Sequence, residues 1–195
     1  MNGSDLSQES LSLSGPAAVL LEKTTSGRTA TTQTTDLSGK WKLIYSDEFK
    51  ASYDSYLKCL GQPSLVRSVA LSIIGVTSEE KVQSKDGREL VIHGRNVISE
   101  WKRTLVASSE EAPLITPLLT ADQETVQSEC WWEDNGHVHH SWLRGVKKYG
   151  GGSFESLRYL EDNGDTLVCK STFHPTDSSR EKASVTWRFR RVDEI

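Results

Sequence analysis

The stretch from Gly39 to Ile74 decides the fold, and it reads GKWKLIYSDEFKASYDSYLKCLGQPSLVRSVALSII. It opens with a strand-like run, Gly39–Ile44, and two short helical segments follow, separated by Gly61-Gln62-Pro63. After about Val76 the chain consists of predicted strands and tight turns. A single pair of helices near the start of an otherwise all-β chain predicts a lid over the open end of a barrel. A barrel with a lid encloses a ligand.

The two helical segments have clear boundaries. Large apolar residues recur at helical spacing in the first segment, at Phe49, Tyr53, Tyr56, Leu57 and Leu60. Ser46 is the expected N-cap and Gly61 the expected end. The second segment begins at Pro63 and ends at Gly75. Helices this short are marginal alone, so both must dock on an apolar surface.

Three turn sequences of one kind divide the rest of the chain: Lys85–Arg88, Asp134–His137 and Asp162–Asp165. Each contains Asp-Gly or Asn-Gly, which favours positive φ and specifies a tight hairpin. The predicted strands are Lys40–Tyr45, Lys81–Lys85, Arg88–His93, Ser99–Val106, Thr125–Glu133, His137–Val146, Ser153–Glu161, Thr166–Phe173 and Ser184–Val192. A tenth strand is expected between Ala112 and Ala121. The fold prediction is an all-β, up-and-down antiparallel barrel of about ten strands, because closure removes exposed edges.

The N-terminal part has a different composition from the rest of the chain. Residues 1–37 are rich in Ser and Thr and contain no aromatic residue. Such a segment buries too little apolar area to offset its conformational entropy, so a disordered tail is expected. The barrel domain is predicted over residues 38–195.

Charge and cysteine content exclude several classes of protein. The chain has 195 residues and a formal net charge of -4, which argues against a general nucleic-acid binder. Its three cysteines, Cys59, Cys130 and Cys169, are far apart and suggest neither a zinc site nor a disulfide framework. Buried thiols of this kind fit a reducing, cytoplasmic compartment. No cofactor is expected.

The opening segment and one later hairpin resemble the intracellular fatty-acid-binding protein family, which belongs to the calycin barrels and includes the cellular retinoid carriers. Leu37–Phe49 resembles the family's Gly-x-Trp-x-Leu strand running into Ser-x-x-Phe and the first lid helix. Tyr53–Gly61 resembles the Tyr-x-Lys-x-Leu-Gly end of that helix. Leu157–Gly164 resembles a hairpin in which an arginine, here Arg158, points into the cavity. The similarity covers roughly residues 38–192.

The resemblance implies a non-catalytic carrier and a set of candidate ligand contacts in the cavity. Arg158 would bind a carboxylate head group, and the candidate ligand-binding residues are Arg158, Trp187, Phe189, Trp142 and Tyr56. In one register of the last strand Trp187 and Phe189 face inward, and in the other Arg188 and Arg190 do. The first is preferred because barrel interiors favour aromatic faces. The implied partner is a small hydrophobic ligand, with transient membrane contact through the lid helices and a monomeric state.

Other interpretations of the same residues stay open. Arg158 would be a surface arginine if it paired with Glu155 or Glu161, and Trp41 is expected to be structural, stacked on Arg190 or Arg191. A conjugated ligand such as a retinoid or tetrapyrrole would suit the aromatic residues of the last strand. An enzyme or chromophore lyase on the barrel would depend on Cys130 or Cys169 as nucleophile. The histidines at 137, 139 and 140 invite a metal interpretation, but no third ligand is placed beside them.

Overall fold

The computed structural model describes residues 33–120 and 123–194, so most of the predicted tail, residues 1–32, lies outside the described residues. Two helices interrupt a series of strands. They are α1 (Asp47–Cys59) and α2 (Ser64–Ile74). The strands are β1 (Gly39–Leu43), β2 (Ser78–Gln83), β3 (Glu89–Arg95), β4 (Glu100–Ser108), β5 (Thr116–Leu119), β6 (Thr125–Glu133), β7 (Val138–Val146), β8 (Gly152–Glu161), β9 (Thr166–Pro175) and β10 (Ala183–Val192).

The strands form one sheet in the order β4-β3-β2-β1-β10-β9-β8-β7-β6-β5, and a β4–β6 pairing closes nine of them into a barrel. This confirms the predicted barrel, with one difference. The β4–β6 pairing is parallel and short, joining Ala107 to Cys130 and Ser108 to Trp131. The short strand β5 pairs with Thr125–Ser128 of the same β6 edge. Because β5 has only four residues, it cannot separate β4 from β6 along their whole length.

The three predicted turn sequences connect β2 to β3, β6 to β7 and β8 to β9. In the β6–β7 turn, three successive residues have positive φ: Asp134 (48°), Asn135 (53°) and Gly136 (86°). Asn and Asp tolerate this left-handed conformation better than other side chains do, and Gly adopts it freely. The local sequence therefore specifies the turn, and the turn sets the register of the two strands.

The lid helices begin and end close to the predicted positions. Ser46 caps α1, where its hydroxyl accepts a hydrogen bond from the Phe49 amide at 3.1 Å. Helix α2 follows Pro63 and ends at Gly75, and Ile74 is its one buried residue. No helix in the described part of the chain is long and apolar enough to cross a membrane.

A short segment before β1 covers the end of the barrel opposite the helices. We call residues Gln33–Ser38 the floor segment. Leu37 in it is completely buried, and Gln83 Nε2 donates a hydrogen bond to the Thr35 carbonyl at 3.0 Å. The Thr35 amide in turn donates to the Gly136 carbonyl at 2.8 Å. The domain boundary predicted at residue 38 therefore falls within a segment that packs on the barrel.

Trp41 holds the floor segment to the barrel and is itself fully buried. Its Nε1 donates a hydrogen bond to the Leu37 carbonyl at 3.2 Å. The Arg191 guanidinium lies 4.3 Å from the centre of the Trp41 ring. The predicted structural role of Trp41 and its cation–π contact with the last strand are both observed.

Candidate functional site

The candidate site is a cavity of about 150 Å³ inside the barrel, on the side of the lid helices. Its apolar lining comes from α2 and the barrel wall and comprises Ile74, Ile92, Trp101, Trp187 and Phe189. Its polar lining comprises Thr77, Glu79, Arg103, Ser156, Arg158, Cys169 and Ser171. The cavity therefore combines an apolar wall with a few converging charged groups, as ligand sites do.

Arg158 projects from β8 into this cavity and is only 5% exposed. Its Nη1 donates a hydrogen bond to Ser141 Oγ at 2.7 Å. The two carboxylates that would have held it at the surface have other partners, since Glu155 pairs with His140 and Glu161 with Arg188. The inward position expected for Arg158 is therefore the observed one.

Charged groups from β2 and β4 also lie inside the barrel, and the sequence interpretation did not identify them. Lys81 has a side chain only 2% exposed and forms an ion pair with Glu79, which is 14% exposed. Arg103 lines the cavity from β4, and its buried Nε has no hydrogen-bond partner among the described residues. The cavity thus brings charged side chains from three different parts of the barrel wall together.

Burial and neighbouring charge act on these groups in opposite directions. Burial opposes ionisation of Glu79, but the charges of Lys81 and Arg103 outweigh it and hold the pKa of Glu79 below its usual range. Burial lowers the pKa of Lys81 in spite of the attraction of Glu79. The pKa of Arg103 is also lowered, first by burial and then by the charge of Arg158. The positive groups are thus in an environment that penalises their charge, and an anion would relieve this penalty.

Aromatic side chains of α1 form the roof over the cavity. Trp187 lies beneath Phe49 and Tyr53, with ring centres 5.2 and 5.1 Å away. Phe189 packs below, where Lys81 Nζ lies 5.9 Å from its ring centre. Trp187 and Phe189 thus face inward, whereas Arg188 and Arg190 are exposed, as in the preferred register.

Tyr56 of α1 lies near this roof and is buried. Burial raises the pKa of its phenol, and the nearby Ser171, which lines the cavity, acts in the opposite direction. Tyr56 therefore lies close to the lining but is not itself among the lining residues.

Trp142 lies elsewhere. Its neighbour in sequence, Ser141, faces Arg158, so Trp142 points to the outer face of β7. There its ring centre lies 4.7 Å from that of His174 and 4.5 Å from the Arg144 guanidinium. The alternation of side chains along the strand separates Trp142 from the cavity, so we leave it out of the proposed ligand contacts.

The three histidines near the β6–β7 turn do not converge. The His137 ring accepts or donates a hydrogen bond at Thr35, His139 is buried inside the barrel, and His140 contacts glutamates on the outer face. No group of three or more His, Cys, Asp or Glu side chains able to hold a metal ion occurs among residues 33–120 and 123–194.

The cysteines differ in their surroundings. Cys130 is fully buried and shares a hydrogen bond with Ser128, and burial raises the pKa of its thiol. Cys169 lines the cavity. Neither thiol forms a hydrogen bond with a histidine in the described part of the chain.

The strand pattern of period two gives a partial signal for the charged lining, because it shows which residues share a face but not which face is inside. Trp101, Arg103 and Leu105 occupy alternate positions of β4 and so share one face. Glu79 and Lys81 are related in the same way in β2. Single charged residues within short strands are usually assigned to solvent, and only the pairing of β2 and β4 with β3 shows that these point inward.

Solved structures with the same architecture are similar to this chain over most of their length. The REP1-NXSQ fatty acid transporter is 17% identical, with a TM-score of 0.57, over 82% of this chain and 98% of that one. The apo Caenorhabditis elegans lipid binding protein 8 is 16% identical, with a TM-score of 0.56, over 80% and 94%. Human cRBP IV is 18% identical, with a TM-score of 0.56, over 81% and 99%.

No family model matches the chain, and no curated protein matches it. At these identities the likeness is one of fold. The resemblance inferred from the opening strand, the lid helices and the Arg158 hairpin is confirmed at that level: the chain has the lidded barrel fold of a fatty acid transporter and a lipid binding protein.

Proposed function

We propose that the chain is a non-catalytic carrier that binds a fatty acid or a similar hydrophobic acid inside the barrel. The observation that carries the proposal is the buried Arg158 facing a cavity whose other walls include Trp187 and Phe189. A guanidinium can hold a carboxylate through two parallel hydrogen bonds and keeps its charge when buried. The aromatic walls would cover the apolar part of the ligand.

The size of the cavity limits how the ligand is held. Drug-sized ligands occupy pockets of roughly 300–1,000 Å³, and this cavity measures about 150 Å³. A long acyl chain therefore requires side chains or lid helices to move apart, whereas a short one requires less movement. The smaller the ligand's apolar part, the less rearrangement its binding demands.

The lid end offers a route for this rearrangement. Leu65 and Val69 of α2 are 76% and 53% exposed, and Val97 and Ile98 of the β3–β4 turn are 64% and 70% exposed. The turn joins the ends of β3 and β4 that lie at the same end of the barrel as the helices. We propose that these apolar side chains make transient contact with a membrane surface while the ligand is transferred. The carrier is proposed to act as a cytoplasmic monomer.

The test is the binding of a fluorescent fatty-acid analogue to the wild-type protein and to Arg158→Gln. Loss of a charge-assisted hydrogen bond should weaken binding by about 1.5–3 kcal/mol. Arg190→Gln is the matched control, because Arg190 is exposed on the outer face of β10 and should leave affinity unchanged. Absence of saturable binding, or equal affinity for wild type and Arg158→Gln, would count against the carrier.

A conjugated ligand is a second candidate, favoured by the indole and phenyl rings in the lining. Trp101, Trp187 and Phe189 offer flat surfaces on which a polyene or pigment would stack. Visible absorbance in protein purified from its native source would support this candidate. Tight binding of a saturated fatty acid together with no affinity for retinoids or tetrapyrroles would oppose it.

A further inference from the structure

We propose that the ligand of this cavity carries two negative charges, held between Arg103 of β4 and Arg158 of β8. The proposal rests on the proposed carrier function and specifies its ligand class. A single carboxylate could accept hydrogen bonds from both arginines, but it would offset only one of their two positive charges. A compact head group with two charges, either two carboxylates or one phosphate monoester, would satisfy both.

The first argument is the charge balance inside the barrel. Lys81 and Glu79 form an ion pair, so their charges offset each other. Arg103 and Arg158 remain, and arginine keeps its charge in proteins. Glu79 is the one carboxylate among the described residues that line the cavity. Glu79 also attracts Arg103, but one carboxylate cannot offset three cations, so two positive charges remain uncompensated in a largely buried space. Such an arrangement is costly unless an anion compensates it.

The second argument is the hydrogen bonding of the two guanidinium groups. Among the described residues, Arg158 has one hydrogen bond, to the neutral hydroxyl of Ser141. The Nε of Arg103 is buried and has no partner among the described residues. Each guanidinium has five N–H donors, and hydrogen bonds among the described residues occupy few of them. Donors on both sides of one cavity favour a head group with several acceptor oxygens.

The third argument concerns the positions of the two arginines in the barrel. Arg103 lies on β4 and Arg158 on β8, which β6 and β7 separate in the closed ring. These two cations therefore reach the same cavity from separated parts of the wall. The apolar residues Ile92, Trp187 and Phe189 complete the lining and would contact an attached alkyl group.

The experiment compares three probes by isothermal titration calorimetry below their micelle-forming concentrations. Tetradecanoate carries one negative charge, whereas dodecylmalonate and dodecyl phosphate carry close to two at pH 8. All three have alkyl chains of similar length. We expect at least one of the two dianions to bind the wild-type protein about tenfold or more tightly than tetradecanoate, since a second charge-assisted contact is gained.

The Arg103→Met variant assigns the effect to its residue. It should remove the advantage of the dianion while changing tetradecanoate affinity less than about threefold, because Arg158 still binds the first charge. Arg190→Met, on the exposed face of β10, is the matched control and should keep the advantage. The ligand-free Arg103→Met protein should melt at the same or a higher temperature than wild type, since an uncompensated buried charge is gone.

The outcomes separate this proposal from the carrier function. Equal affinity for mono- and dianions would overturn the two-charge ligand and leave the carrier intact. No binding of any probe would overturn the carrier and, with it, this proposal. A preference for dodecylmalonate alone identifies a dicarboxylate, and a preference for dodecyl phosphate alone identifies a phosphate monoester; both support the proposal. A dianion preference that survives Arg103→Met would contradict the role of Arg103, even if the variant is less stable.

Discussion

The two ends of the barrel are closed in different ways. At the floor, Leu37 and Trp41 are completely buried, and backbone hydrogen bonds tie the floor segment to the β6–β7 turn. At the lid, α1 buries Phe49, Tyr56 and Leu57, whereas α2 buries only Ile74 and leaves Leu65 76% exposed. One end is fastened by packing and hydrogen bonds between parts of the chain that are distant in sequence, whereas the cover of the other end includes a helix, α2, with few buried residues.

This difference indicates which end opens. Local opening is easiest where few apolar contacts and many exposed residues occur. The cavity lies on the lid side, and Ile74 of α2 is part of its lining. We therefore expect the floor to supply stability and a movement of α2 to supply access. Substitutions at the two ends should therefore change different measurements.

The largest effect is expected at the floor, from Trp41→Ala. Removing a fully buried tryptophan leaves a cavity and should lower the free energy of unfolding by about 3–5 kcal/mol. Urea denaturation measures the loss. Trp142→Ala is the control, because this half-buried ring lies on the outer face and should cost less. Equal losses for both variants would show that the floor is not the more tightly packed region.

A pH effect of intermediate size is expected from His139, a buried residue whose two ring nitrogens have no partner among the described residues. Burial, and secondarily the charge of Arg158, hold the pKa of His139 well below 6.5. Below pH 6.5 the unfolded chain therefore takes up a proton that the folded protein does not. The free energy of unfolding should therefore decrease as the pH falls below 6.5. His139 should contribute at most about 1.4 kcal/mol per pH unit to this decrease.

His139→Leu should remove this part of the pH dependence, because leucine of similar size does not titrate. Urea denaturation at pH 7.5, 6.5 and 5.5 measures it. His93→Gln, at an exposed position of β3, is the control and should keep the slope of the wild type. The same acid sensitivity in His139→Leu and wild type would mean that other groups cause it.

The smallest effect on stability is expected at the lid, from Leu65→Ala. Leu65 is 76% exposed, so the free energy of unfolding should change by less than about 0.5 kcal/mol. Ligand uptake from lipid vesicles should slow by about twofold or more, because contact with lipid contributes ~0.8 kcal/mol per buried CH₂. Stopped-flow fluorescence measures uptake, with Ser68→Ala on the same helix as control. Unchanged uptake would place the access route elsewhere.

Local features of the fold were predictable because their causes are local. Ser46 caps α1 by contacting an amide three residues away, and Asp134–Gly136 form a turn through their own backbone preferences. Trp187 and Phe189 could be placed inward because alternation along one strand leaves only two registers. The parallel contact between β4 and β6 could not be predicted. It forms because the short strand β5 covers only part of the β6 edge, and the length of β5 is not evident from the sequence.

The residues of the candidate site can also be divided into those that the sequence predicted and those that it did not. Arg158 was recognisable from the hairpin that follows it, whereas Arg103 and Lys81 were not, since a charged residue in a short strand is assigned to solvent unless its strand's orientation is known. Trp142 shows the opposite error, because an aromatic residue in a barrel strand was expected inside and lies outside.

The sequence by itself determined the helices, the hairpins and the barrel that they imply, since caps, turns and side-chain periodicity act over a few residues. Only the tertiary structure decided which charges meet in the cavity and which end of the barrel is loosely covered. Those properties depend on ring closure, which brings β2, β4 and β8 around one space although they lie far apart in the chain.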